Sequence, residues 1–127
     1  MINVSTWSEF LNAIKTSGAE VNVTADITAD TEITTAFDIV CSKIHGNDFS
    51  IIRMTVDGCR LGIDGNLTVD NLNFVNFTAK GTGSFQGLFF AQYGATMLFE
   101  NCRFNGINQA TNFLASNSSN KSKIFRN

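Results

Sequence analysis

The chain has 127 residues, 43% of them apolar and 16% charged, which is too apolar and too weakly charged for a disordered polypeptide. Nine basic against eleven acidic residues leave a net charge of −2, without the basic excess that a nucleic-acid binder needs. No apolar run approaches the roughly eighteen residues of a membrane-spanning helix, and Met1-Ile2-Asn3-Val4-Ser5 shows neither a basic nor a long apolar leader.

The length suits one domain over residues 1–127. Proline is absent and phenylalanine occurs twelve times. Proline cannot donate to a sheet ladder, and aromatic and β-branched residues fit pleated, half-buried surfaces. A mainly β protein is the expectation.

One helix stands ahead of the strands. Thr6-Trp7-Ser8-Glu9 has the capping-box pattern, a threonine followed three residues later by a glutamate. Trp7, Phe10, Leu11 and Ile14 then recur at helical spacing, and Ser17-Gly18 supplies a stop. Residues 6–16 therefore read as a short amphipathic helix whose apolar side, built on Trp7, Phe10, Leu11 and Ile14, covers the end of a β stack.

Strands follow from residue 20 onward. Val21 and Val23 precede Asp26-Ile27 as a short first turn of chain. Ile39, Cys41, Ile44 and Phe49, with Gly46 among them, read as an early copy of a later motif, starting 28 residues before Leu67. Ile52, Met54 and Val56 alternate, as do Leu61 and Ile63 ahead of the turn Asp64-Gly65-Asn66. The motif is clearest in Leu67-Thr68-Val69-Asp70-Asn71-Leu72-Asn73-Phe74 with Phe77, and thirty residues on in Met97-Leu98-Phe99-Glu100-Asn101-Cys102-Arg103-Phe104 with Ile107. A last partial copy is Lys123-Ile124-Phe125-Arg126-Asn127. Between these lie residues 79–84 and 115–122, expected as projecting loops, and Phe85, Leu88, Phe89 and Phe90, expected as a strand partly covered on both faces.

Within each full copy the apolar residues alternate, and the phase shifts at Asn71 and Asn101, the place that Asn127 holds in the partial copy. Asparagine tolerates left-handed backbone, so each marks a corner from which a second short strand departs, carrying Leu72 and Phe74 or Cys102 and Phe104 inward. A period of 26 to 30 residues holds about three short strands and three turns. That is one coil of a parallel β-helix, an all-β solenoid in which each coil buries the next. A β-sandwich of short strands is the competing fold, but it does not predict aligned asparagine corners or a leading helix. The last coil stops at Asn127 before its second strand, so either more coils or another chain is expected to cover that end.

Ile44-His45-Gly46-Asn47-Asp48-Phe49-Ser50-Ile51 and Gly94-Ala95-Thr96-Met97-Leu98-Phe99-Glu100-Asn101-Cys102-Arg103-Phe104 resemble phrases of right-handed parallel β-helix proteins of the pectate-lyase-like superfamily. Within it the chain is most similar to adhesin-like and polymorphic surface proteins of microbes. The resemblance implies a right-handed β-helix with the N-terminal helix as its cap. It also implies an extracellular or cell-surface location.

Two classes of function compete. The first is a rigid rod presenting loops and walls for adhesion or assembly, with surface glycans or other chains as partners. The second is a carbohydrate-active enzyme, for which Asp57, Arg60, Asp64 and Asp70 are the candidates. Asp57-Gly58 and Asp64-Gly65 read more simply as turn chemistry. Asp70 and Glu100 are equivalent positions that could face one another or a cation, with Arg103 or Arg126 as alternative partners. His45, the one histidine, reads as a corner residue. Cys41, Cys59 and Cys102 form an odd set without metal-ligand spacing and read as small buried apolar residues. Six Asn-x-Ser/Thr sequons begin at Asn3, Asn22, Asn66, Asn76, Asn117 and Asn120, a composition that either a β wall or an exported glycoprotein produces. No catalytic residue, metal or cofactor is assigned. The rod is the preferred reading; the enzyme and an end-to-end filament subunit are the alternatives.

Overall fold

The structure is a computed structural model that describes residues 1–57, 61–80, 89–91, 94–106, 114–116 and 122–126. The chain opens with β1 (Ile2–Val4), α1 (Trp7–Ile14), β2 (Glu20–Val23), β3 (Ile27–Thr28), β4 (Asp38–Ile39) and β5 (Lys43–His45). It continues through β6 (Ser50–Ile52), β7 (Thr55–Asp57), β8 (Leu61–Ile63), β9 (Leu67–Asp70), β10 (Asn73–Val75) and β11 (Thr78–Lys80). The last strands are β12 (Phe89–Ala91), β13 (Thr96–Glu100), β14 (Arg103–Asn105), β15 (Leu114–Ser116) and β16 (Ser122–Arg126).

These strands form a six-stranded sheet, β1-β2-β5-β9-β13-β16, two four-stranded sheets, β14-β10-β6-β3 and β15-β12-β8-β4, and the pair β11-β7. Every one of these strand pairs is parallel. Parallel neighbours cannot be joined by a tight hairpin, so β1 and β2 are separated by the helix, and from β2 onward consecutive strands lie in different sheets and each pairs with one a whole circuit away. Val21, Ile44, Val69, Phe99 and Phe125 lie side by side along the six-stranded sheet. The expected all-β character, with parallel pairing and one short helix, is thus borne out.

The alternation of the sequence becomes an inside and an outside. Val21, Val23, Ile44, Val69, Met97 and Phe99 are buried to 0–1% exposure, while Asn22, Lys43, His45, Thr68, Asp70 and Glu100 face outward. Phenylalanines fill the core between sheets. Phe74 and Phe104, paired in register, stack at 5.2 Å with 4° between their planes, and Phe89 meets Phe74 edge-on at 5.8 Å. Leu72 is fully buried, whereas Cys102 and Phe104 are half-buried.

The helix occupies one end of this core. Thr6 Oγ1 accepts the Glu9 amide at 3.2 Å, and Glu9 Oε1 accepts the amides of Ser5 and Thr6 at 3.0 and 3.2 Å. Trp7 and Phe10 stack at 5.7 Å, Trp7 Nε1 donates to the Thr31 carbonyl at 3.1 Å, and Ile14 is 1% exposed. Leu11 packs partly buried against the core. The helix's last carbonyls would be orphans, but Ile14 O accepts the amides of Val40 and Cys41 at 3.0 and 3.2 Å. Removing the cap with Thr6→Ala is expected to lower stability by about 1 kcal/mol, read as a shift in the urea midpoint at unchanged slope.

Corners fall where the backbone turns left-handed. Asn71 and Asn101 have φ of 49° and 53°, and Asn47, Asp48, Arg53 and Asn76 share that conformation. Corner amides reach the neighbouring circuit: Gly46 N donates to Asp70 O at 2.7 Å, Asn71 N to Glu100 O at 2.9 Å, and Asn101 N to Arg126 O at 2.6 Å. Asn127 lies outside the described residues.

Several expectations fail in informative ways. Ile39 does not head a copy aligned with Leu67; it pairs with Ile63, and it is Ile44 that lies beside Val69. The corner after β5 runs through Gly46, Asn47, Asp48 and Phe49, whereas Asn71 and Leu72 suffice after β9, so counting across it loses the phase. Ile52, Met54 and Val56 are not one strand. Arg53, with φ of 63°, breaks the run, and Ile51 rather than Ile52 faces the core. The expected loops also shrink: Ala79 and Lys80 belong to β11, Ala115 and Ser116 to β15, and Ser122 to β16. Pairing with an already formed strand overrides the weak β preference of these small and polar residues. Phe85, Leu88 and Ile107 lie outside the described residues.

Candidate functional site

The carboxylates proposed for catalysis are dispersed. Asp57 ends β7, Asp64 follows β8 in an exposed turn, and Asp70 ends β9, so the three stand on or beside strands of three different sheets. Arg60 lies outside the described residues. Asp70 and Glu100 do pair in register on the outer face of the six-stranded sheet. Asp70, however, is engaged by Lys43 Nζ at 3.3 Å and His45 Nδ1 at 3.4 Å. Among the described residues no group of three His, Cys, Asp or Glu side chains could hold a metal ion.

His45 sits at the end of β5 and not in the corner itself. Its Nε2 lies 2.9 Å from Glu20 Oε1 and its Nδ1 faces Asp70, so the ring links three neighbouring strands, β2, β5 and β9. Such a link is invisible in sequence because its partners are 25 residues away on either side. The His45 hydrogen bond holds the exposed Glu20 carboxyl below the usual carboxylate range. Its stabilising effect is therefore present above the unfolded carboxylate pKa of about 4.3 and is lost as pH falls through the lower folded value. Glu20→Gln is expected to lose less stability than the parent chain between pH 6 and pH 3, measured as urea midpoints across that range.

Among the described residues, the sequon asparagines Asn3, Asn22 and Asn66 make hydrogen bonds within the fold. Asn47 Nδ2 donates to Asn22 Oδ1 at 2.8 Å and to the Val23 carbonyl at 2.9 Å, and Asn22 Nδ2 donates to Asn3 Oδ1 at 3.0 Å. The Asn22 nitrogen thus gives one of its two hydrogens to the ladder. Asn66 Oδ1 accepts the Thr96 amide at 3.1 Å, and Asn76 has φ of 58°. Asn117 and Asn120 lie outside the described residues. Of the cysteines, Cys41 is buried, with its thiol pushed up to about 12 by desolvation, and Cys102 is half-buried and raised by the same cause. Cys59 lies outside the described residues.

One concavity gathers functional groups. A hollow of about 450 Å³ is lined by Asp48, Asn71, Asn73, Asn101, Cys102 and Arg103. It runs along the corners of three circuits: Asp48 follows β5, Asn71 and Asn73 flank the turn from β9 to β10, and Asn101 and Arg103 flank the turn from β13 to β14. Asn73 Nδ2 donates to the Asp48 carbonyl at 3.0 Å. The Cys102 thiol is directed at the Val69 and Glu100 carbonyls, 3.5 and 3.6 Å away. Asn71, Asn101 and Cys102 were singled out in sequence as corner and core residues; their shared hollow, and the presence of Asp48 and Arg103 in it, had no sequence signal because the three contributing turns are separated by whole circuits.

Fold and hollow together define a strand-rich protein of parallel sheets with polar outer walls. The chain matches, over residues 1–121, the family described as "Putative pectate lyase-like adhesive domain", and it belongs to that family. No curated protein and no solved structure matches it. Among the described residues no helix is long and apolar enough to cross a membrane.

Proposed function

We propose that the chain is a right-handed parallel β-helix segment of a microbial cell-surface or secreted protein and that it works by adhesion. The observation that carries this reading is the match to an adhesive domain family over nearly the whole chain. The register supports it physically. Stacked parallel circuits make a stiff body whose outer walls are free for contact, because the core consumes only inward positions. The attachment of Asp57, Asp64 and Asp70 to strands of three different sheets weighs against the enzymatic alternative, which needs two carboxylates flanking one glycosidic bond. The test is retention under flow of beads carrying the purified chain, on plates coated with mucin or fixed cells. Saturable retention, blocked by soluble chain, is the expected result. Retention no greater than that of beads carrying an unrelated protein of equal charge overturns the reading.

A further inference from the structure

We propose that the corner hollow lined by Asp48, Asn71, Asn73, Asn101 and Arg103 binds an uncharged saccharide. This deepens the adhesive reading and rests on it.

The hollow has the dimensions of a short saccharide. Three circuits contribute to the hollow, and strands in a sheet lie about 4.8 Å apart, so it extends roughly 10 Å along the stack. With its volume of about 450 Å³, it accommodates one or two sugar rings.

Its lining balances donors and acceptors. A sugar hydroxyl donates one hydrogen bond and accepts others. Three carboxamides, which also do both, line the hollow at Asn71, Asn73 and Asn101. Asp48 adds an acceptor and Arg103 a donor. The two opposite charges disfavour an ionic ligand: an anion drawn to Arg103 shares the hollow with Asp48, and a cation drawn to Asp48 shares it with Arg103.

The lining is also preorganised and keeps free hydrogen-bonding capacity. Asn71 and Asn101 are held at φ of 49° and 53° by the corners, and Asn73 is oriented by its bond to the Asp48 carbonyl. Among the described residues, no hydrogen bond or ion pair engages the side chains of Asp48, Asn71, Asn101 or Arg103. The left-handed backbone alone accounts for asparagine at 71 and 101. It does not account for Arg103, which stands in register beside Asn73 with no carboxylate in salt-bridge range among the described residues.

The test uses the full chain, labelled with ¹⁵N and titrated with D-glucose, D-galactose, D-mannose and their disaccharides, with galacturonate and glucosamine as charged controls. A neutral sugar is expected to shift the side-chain amide signals of Asn71, Asn73 and Asn101 saturably. Arg103→Ala and Asn101→Gly are each expected to raise Kd at least tenfold. Glycine keeps the left-handed corner, so Asn101→Gly removes the amide without forcing the backbone. The proposal is overturned if no neutral sugar moves those signals, if a charged control binds more tightly, or if neither variant changes Kd. Bead retention that survives alongside a failed titration removes the hollow and leaves the adhesive reading standing. A successful titration without bead retention removes adhesion and leaves the saccharide site.

Discussion

Gly46→Ala is expected to destabilise the protein by about 3 kcal/mol, a large fraction of the stability of a marginal domain. A Cβ at position 46 would lie 2.5 Å from Leu72 Cα and press on the Asn71 carbonyl. Both obstacles are backbone, so no side-chain rotation relieves them. The two circuits cannot drift apart locally either, because Gly46 N bonds Asp70 O and Asp48 N bonds Asn71 O at 2.7 and 2.8 Å. Gly18→Ala is the matched control. Its φ of 70° imposes left-handed strain on alanine, but nothing lies within 4 Å of the added carbon, so about 1 kcal/mol is expected. Urea midpoints of the two variants against the parent chain give the comparison.

Phe74→Ala is expected to lower stability by about 3–5 kcal/mol. Phe74 is 2% exposed, stacks on Phe104 and meets Phe89 edge-on, so its removal opens a cavity between sheets that rigid parallel ladders cannot close. Phe104→Ala should have the smaller effect because Phe104 is half-buried. The double variant should then show a coupling of about 0.5–1.5 kcal/mol from the lost ring stack, measured by a double-mutant cycle in urea.

Residues 67 to 104 explain why so much of the fold was legible. The motifs at Leu67 and Met97 each place a single asparagine between two short strands, so a spacing of thirty residues carries both strands into register. The preceding circuit uses a longer corner at Gly46-Asn47-Asp48-Phe49, and a fixed-spacing reading slips there. β1 was missed because three residues, Ile2 to Val4, offer no alternation to detect; only β2 beside them makes them a strand. Arg53 was read through as a strand position because nothing in an arginine announces a left-handed backbone. The Thr6–Glu9 cap is local chemistry, with both partners within one helical turn, and such signals survive in sequence. The His45 link and the corner hollow are the opposite case. Their members come from three circuits, and only the stacking brings Glu20 to Asp70 or Asp48 to Arg103.

All of this depends on circuits that, from β2 onward, take 23 to 30 residues and lie in parallel register. Nuclear Overhauser contacts in solution test that most directly. The account predicts backbone contacts joining Thr68 to Leu98, Asp70 to Glu100 and Lys43 to Thr68, all in parallel order. Antiparallel contacts joining β9 to its sequence neighbour β10, the pattern of a hairpin-built sandwich, would contradict it.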